Sequence, residues 1–241
     1  MELNPLEQFK IERIVPLHIG KLDVSYTNSA LLMTIVVVLI TALVLLGTRR
    51  ASLVPGRLQS MVEMTYEFVA DMIDSNVGRE ARDYVPFVFT LFTFILLANL
   101  LGLVPYSFTV TSHIIVTFAL AAVVFIGVTI IGIARHGFHF LSFFVPHGVP
   151  LPLLVVLVPI EVLSYFIRPF TLSIRLFANM LAGHTMLAIL GGFAASIGLL
   201  AIFPLAINTA MFALELLVAV LQAYVFAILT CLYLRDAIHL H

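Results

Sequence analysis

Long apolar runs separated by short polar segments dominate the hydrophobic pattern of this chain. The first run, 29–47, is long enough to cross about 30 Å of hydrocarbon as a helix. The run 86–134 is divided by a prolyl turn into two spans, and 153–236 holds two segments that each exceed one perpendicular span. This pattern predicts an all-α integral membrane protein with about five membrane helices, of which the last two are long, tilted and paired as an antiparallel hairpin.

A different pattern covers residues 58–77, between the first two runs. Four carboxylates recur there at helical spacing, and four apolar side chains lie on another face: Glu63, Glu67, Asp71 and Asp74, against Leu58, Val62, Val69 and Met72. The spacing predicts an amphipathic helix on the membrane surface. Because its polar face is acidic, contact with a partner subunit explains it better than anionic lipid does. A plain solvated face is the alternative.

Arginines mark one side of the membrane. The first span is followed by Arg49, Arg50 and Arg57, and the acidic helix is followed by Arg79 and Arg82. The third span ends at Arg135. The positive-inside rule assigns this face to the cytoplasm or matrix, so we expect the N-terminus on the other side. Residues 1–28 are rich in charge and lack an apolar core, so we expect no cleaved signal peptide and a retained first span.

Composition narrows the class of protein. The 241 residues are 62% hydrophobic and 10% charged, with mean hydropathy +1.15, which no water-soluble fold could bury. A net charge of -1 and the lack of a Gly-rich phosphate loop argue against binding of nucleic acid or nucleotide. Cys231 stands alone, and the loop histidines His136, His139 and His147 lack acidic or Cys companions, so neither a disulfide nor a metal site nor any cofactor is predicted.

Charges within the apolar part are rare and concentrated. Between Tyr84 and Leu234 the chain has five residues of the types Asp, Glu, Lys and Arg, and four of them lie in the last two segments. The five are Arg135, Glu161, Arg168, Arg175 and Glu215. Ionisable residues inside a membrane indicate a functional site. We therefore expect the function to lie in the long hairpin, 153–236.

Helical geometry groups the polar residues of the hairpin into two stripes. Steps of three or four join Glu161, Ser164, Arg168, Thr171, Arg175 and Asn179, and a seven-residue register joins Asn208, Glu215, Gln222 and Asp236. His184 lies about half a turn away from the first stripe, so it faces another environment. Two such stripes predict a wet or shared interface.

If the hairpin turns near Gly198 and both helices rise equally per residue, a residue of the first helix and a residue of the second lie at the same membrane depth when their numbers sum to roughly 397. This sets Arg175 level with Gln222, Glu161 level with Asp236, and His184 near Glu215. Glu and His can exchange protons, whereas arginine, with a pKa above about 12, cannot relay one. The arrangement predicts a proton route interrupted by a fixed charge, whose carboxylate partner belongs to another subunit.

Simpler explanations of the arginines compete with this one. Arg175 or Arg168 could form a buried salt bridge with Glu215 that only fixes the hairpin. Arg168 is followed by Pro169, so capping a kink or reaching lipid headgroups is the favoured interpretation of that side chain. His239 and His241 are predicted to be solvated.

Several motifs in chain order resemble one family. They are "NPLEQF" near the start, "NLLGLVPYSFTVTSH" from Asn99, "PIEVLSYFIRP" from Pro159, "LSIRLFANMLAGH" from Leu172, "LELLVAVLQAYVFAIL" from Leu214 and the closing "YLRDAIHLH". An arginine, an asparagine and a histidine at this spacing, with Glu and Gln in the following helix, are specific. The chain resembles subunit a of the F-type ATP synthases, bacterial or mitochondrial.

This resemblance implies a proton-translocating stator beside a ring of c subunits. Arg175 matches the family's essential arginine, which faces the ring carboxylate. The other matching positions line two offset half-channels: His184, Glu215 and Asn179 on the inlet side, Gln222 beside the arginine, and Glu161 and Asp236 on the outlet side. We expect Asn179 and Leu172 to face the ring helix that bears the carboxylate.

The resemblance also implies the surroundings and leaves alternatives. Expected partners are the c-subunit ring, the peripheral-stalk b subunits, other ATP synthase subunits and lipid, in a bacterial inner membrane or a mitochondrial one. The chain alone would be no enzyme. A self-contained proton-coupled transporter is the alternative, although no internal repeat supports it. A purely structural assembly subunit is a third possibility.

Overall fold

The computed structural model describes residues 9–16, 18–19, 22–23, 25–49, 52, 54–104, 107–137, 140, 144–145, 151–197 and 201–239. Six α-helices account for most of them: α1 Asn28–Thr48, α2 Arg57–Asn76, α3 Val85–Gly102, α4 Ile114–His136, α5 Leu151–Ser196 and α6 Ile202–Ile238. Short 3-10 turns occupy Arg79–Tyr84 and Val110–Ser112. All but α2 are long and apolar enough to cross a membrane, which confirms the predicted five spans and one amphipathic helix.

Local signals set the helix ends close to the predicted limits. Thr27 caps α1, because its Oγ1 accepts a hydrogen bond from the Ala30 amide at 3.3 Å. Pro86 lies in the first turn of α3, where its missing amide hydrogen leaves no bond unmade. Gly137 ends α4 with φ +56°, a conformation that glycine adopts readily.

Before α1 the chain forms two small antiparallel pairs. Strand β1, Arg13–Val15, pairs with β4, Tyr26–Thr27, and strand β2, His18–Ile19, pairs with β3, Leu22–Asp23. These pairings fold the N-terminal segment back against the start of α1.

The two last helices are unusually long. Helix α5 has 46 residues and continues through Pro159 and Pro169, and α6 has 37 residues. At 1.5 Å per residue they are about 69 and 56 Å long, roughly twice the hydrocarbon thickness, so both must run obliquely through the membrane. The predicted turn near Gly198 lies outside the described residues.

Helix α6 lies at the centre of the bundle. It packs against α2, α3, α4 and α5, and small buried residues on it, such as Ala219, Ala223 and Ala227, allow close approach. Helix α2 buries Val62, Val69 and Met72 on its apolar face. Leu58, at the first turn of the helix, is 52% exposed.

Two histidines fasten the arginine-rich end of the bundle. His136, at the end of α4, contacts the Ile238 carbonyl through Nε2 at 3.0 Å. His239 contacts the Val77 carbonyl through Nε2 at 3.1 Å. His239 is exposed, as predicted, and in addition contacts a carbonyl that is left free at the end of α2. His241 lies outside the described residues.

Candidate functional site

His184 and Glu215 meet between α5 and α6. Nδ1 of His184 lies 2.5 Å from Oε1 of Glu215, and the two residues are 8% and 3% exposed. The predicted pairing of these residues is therefore confirmed. Among the described residues neither Glu215 oxygen has a partner with good hydrogen-bond geometry, so the contact is close but is not aligned as a hydrogen bond.

Backbone carbonyls complete the environment of the imidazole. Nε2 of His184 lies 2.9 Å from the Gly102 carbonyl, and Nδ1 lies 3.1 Å from the Met180 carbonyl one turn earlier. Carbonyls only accept hydrogen bonds, so both contacts are hydrogen bonds when the ring carries two protons. Both ring nitrogens of His184 therefore face hydrogen-bond acceptors.

Glycine at position 183 makes room for this pair. A Cβ on Gly183 would lie 2.6 Å from Oε1 and 2.7 Å from the carboxyl carbon of Glu215. Real Cβ atoms do not approach so closely, so any larger residue would displace the carboxylate. Sequence reasoning passed over Gly183, because a glycine in a helix has no signal of its own until its neighbour is known.

An open cavity leads to His184. It has a volume of about 920 Å³, and its lining includes residues from the N-terminal segment, the α3–α4 region, α5 and α6. Lys10, Glu12, Asn208 and Thr209 give it polar walls, and Oδ1 of Asn208 is buried without a partner among the described residues. A cavity of this size with free acceptors suits water.

Arg175 faces away from this cavity. It lies near the middle of the apolar span 153–196, is exposed, and forms no hydrogen bond or ion pair with any described residue. Exposed apolar side chains surround it on the same helix, among them Phe170 and Ile174. A permanent cation at this depth is costly unless another molecule pairs with it.

The remaining predicted site residues lie on both sides of Arg175. Asn179 and Glu161 are half-exposed on α5, and Gln222 is buried on α6. The predicted depth matches of Arg175 with Gln222 and of Glu161 with Asp236 stay predictions. Leu172 was expected to face a partner ring, which was wrong, because it is 2% exposed and packs into the chain's own core.

Arg168 has a partner that the sequence did not indicate. Its Nη1 donates to Oδ2 of Asp236 at 2.8 Å, and its guanidinium carbon lies 5.6 Å from the Tyr165 ring centre and 5.1 Å from that of Tyr233. The favoured interpretation of Arg168 as a kink cap or headgroup ligand was therefore wrong. In the described residues Glu215 pairs with His184, so the alternative salt bridge from an arginine to Glu215 is also wrong.

Asn99 joins α3 to α6 deep in the bundle. Its Nδ2 donates to the Ala219 carbonyl at 3.1 Å, and the residue is fully buried. Its Oδ1 has no partner among the described residues, which leaves an acceptor for water in the interior. Within the described residues no group of three His, Cys, Asp or Glu side chains could hold a metal ion, and His139 and His147 lie outside them.

Comparisons with known proteins agree on one family. The family model described as ATP synthase A chain matches residues 30–235. The chain is 54% identical over 245 residues to the ATP synthase subunit a of Paramagnetospirillum magneticum, with 99% of each chain covered. It is 54% identical over 239 residues to that of Rhodospirillum rubrum, again with 99% of each covered. To that of Pelagibacter ubique it is 50% identical over 243 residues and the whole of both chains.

Proposed function

Because the chain belongs to the ATP synthase A chain family, we propose that it forms the proton path of the membrane motor, Fo, as two offset half-channels separated by Arg175. It is a multi-pass membrane subunit of the ATP synthase complex and is not itself the catalytic subunit. Nucleotide binding belongs to other subunits, because the chain has no Gly-rich phosphate loop. The membrane is the bacterial inner membrane, since the relatives named above are bacterial.

The isolation of Arg175 carries this proposal. The guanidinium is exposed at mid-span with no acidic partner among the described residues, so the carboxylate that it needs belongs to another subunit. A rotating ring of c subunits supplies such carboxylates in turn. Beside Arg175 the charged form of each carboxylate is favoured, so the proton leaves before that carboxylate passes.

The inlet half-channel is the cavity that ends at His184. Water in the cavity delivers a proton to the His184–Glu215 pair. From there we assign the continuation of the polar path toward the ring to Asn179, which is half-exposed on α5, and Gln222, which is buried on α6. A ring carboxylate that accepts the proton becomes neutral and can rotate into lipid. Arg175 cannot carry a proton, so it closes the direct way from inlet to outlet.

The outlet half-channel lies toward the arginine-rich face, at Glu161 and Asp236. A hydrogen bond from Arg168 holds Asp236 in place at this end of the hairpin. Glu161 is half-exposed on the same helix as Arg168. Protons released from the ring leave between these carboxylates to the cytoplasm.

Two partner surfaces follow from this assignment. The ring binds the exposed face of α5 around Arg175. Peripheral-stalk b subunits bind the acidic face of α2, where Glu63, Glu67 and Asp71 are exposed.

The test replaces one guanidinium at a time in the complete ATP synthase reconstituted into vesicles. Arg175→Ala should abolish proton-driven ATP synthesis while the complex still assembles. Arg135→Ala removes a guanidinium from the end of α4 and should leave synthesis largely intact. Synthesis retained by an assembled Arg175→Ala complex would overturn the proposal.

A further inference from the structure

The N-terminal segment Phe9–Glu12, here called the N-terminal strap, reaches the centre of the inlet. The ring centres of Phe9 and His184 lie 6.3 Å apart at 57°. Lys10 and Glu12, two residues further along, line the cavity that ends at His184. A segment from the start of the chain therefore contacts a residue 175 positions later, at the point where protons arrive.

Asn28 fastens the far end of the strap. Its Nδ2 donates to the Lys10 carbonyl at 3.0 Å, and its Oδ1 accepts from the Glu12 amide at 3.3 Å. Its own amide donates to the Glu12 carbonyl at 3.1 Å. Because Asn28 is the first residue of α1, these bonds tie the strap to a membrane helix.

His113 fastens the near end. Its Nε2 lies 3.1 Å from the Phe9 carbonyl, and its ring stacks on Phe108 with centres 4.9 Å apart. The pairing of β1 with β4 supports the same arrangement, because it returns the chain to Asn28 directly after the strap. Held at both ends, the strap is a fixed wall rather than a loose tail.

We propose that the N-terminal strap forms the outer wall of the proton inlet, and that Phe9 is a positioning residue for the His184 ring. This inference rests on the proposed function of the cavity. The Phe9 ring covers one side of the imidazole while Glu215 and the Gly102 carbonyl hold the others. Protons then reach His184 along the polar walls, past Lys10 and Glu12, and not across the strap.

The first test measures access to the cavity. In the complete complex, with Cys231→Ala as background, Leu187→Cys places a thiol in the cavity lining. Adding Phe9→Ala or Asn28→Ala should raise its rate of labelling by a membrane-impermeant thiol reagent severalfold. Asn76→Ala is the matched control for Asn28→Ala, because Asn76 bonds only a carbonyl of its own helix.

The second test measures the positioning of His184. The pH profile of passive proton flux through Fo should shift in Phe9→Ala and return to the native profile in Phe9→Tyr, which keeps the ring. The titratable groups in reach of this profile are Glu215 on α6, His113 before α4, and Lys10 and Glu12 on the strap. A role in folding alone would lower the amount of complex without shifting its pH profile.

Unchanged labelling in both assembled variants, or an unchanged pH profile in Phe9→Ala, would overturn this inference. The proposed function has its own indicator, His184→Ala, which should lose proton flux. If His184→Ala loses proton flux but the strap variants keep the native labelling rate, the inference about the strap is refuted and the proposed function is retained. If His184→Ala retains proton flux, the proposed proton route through His184 is refuted. The labelling rates then still test whether the strap forms a wall of the cavity.

Discussion

Arg168 of α5 and Asp236 of α6 are joined by a hydrogen-bonded ion pair of 2.8 Å, with tyrosine rings beside the guanidinium. His184 and Glu215 join the same two helices sixteen residues further along α5, about 24 Å away. The long hairpin is therefore closed by a close contact between ionisable side chains at each end of the proposed proton path. Arg175, between them, is left without a partner in the described part of the chain.

Asp236→Asn should destabilise the hairpin by about 1–2 kcal/mol. The side chains of Arg168 and Asp236 are 24% and 33% exposed, so the loss falls between that of an exposed pair and that of a buried one. Thermal denaturation of the detergent-solubilised complex measures it. Asp74→Asn breaks a pair whose arginine, Arg82, is 59% exposed, so it should have the smaller effect. An equal effect would contradict this account of Arg168.

The Asp74–Arg82 pair should respond to acid. The hydrogen bond from Arg82 lowers the pKa of the Asp74 carboxyl from its ordinary value of 3.8. A lowered carboxyl pKa stabilises the fold above the ordinary value, and the benefit is lost as pH falls through the lowered one. The stability difference between the native chain and Arg82→Gln should be constant above pH 3.8 and shrink below it. A difference that grows in acid would show that other groups dominate.

Gly183→Ala should impair proton flux strongly, although it adds only one methyl group. The new methyl group would lie 2.6 Å from Oε1 of Glu215, so the carboxylate must leave His184. Passive flux through Fo and the yield of assembled complex measure the two consequences separately. Gly127→Ala is the control, because its Cβ would lie 3.9 Å from the nearest side chain, that of Phe87. Native flux in Gly183→Ala would mean that the pair tolerates displacement.

Cysteine crosslinking should distinguish the two faces of α5. Ile174 is 50% exposed beside Arg175, whereas Leu172 is 2% exposed. In a chain with Cys231→Ala, Ile174→Cys should form a disulfide with a cysteine on the ring helix that bears the carboxylate, and Leu172→Cys should not. Gel mobility of the oxidised complex reports the product. Crosslinking of Leu172→Cys alone would place the ring on the wrong face.

The sequence predicts most of the architecture because a bilayer sets the length and polarity of its helices. The predicted limits 29–47 and 58–77 differ by one residue from α1 and α2. A single depth parameter predicts that His184 lies near Glu215, because residues in both helices rise by the same amount, about 1.5 Å each. Uniform helix geometry carries that much information.

Other contacts escaped prediction for identifiable reasons. Arg168 reaches Asp236 across a difference in depth, because its side chain is long and tyrosine rings guide it. The contact between His184 and the Gly102 carbonyl could not be predicted from residue types, because every residue has a backbone carbonyl. Leu172 lies only about 60° around α5 from Arg175, yet it is 2% exposed, because the boundary between the exposed face and the core runs between the two side chains. Spacing along a helix groups residues by face but does not locate that boundary.

The length of α5 has a mechanical meaning for a rotating partner. A helix of about 69 Å in a layer of about 30 Å extends farther along the membrane plane than across it. Ring helices spaced about 10 Å apart would therefore meet it several at a time. In the proposed complex only one of them at a time would face Arg175. The remaining contacts would then form a bearing surface that distributes load, while the charge would act on a single carboxylate per step.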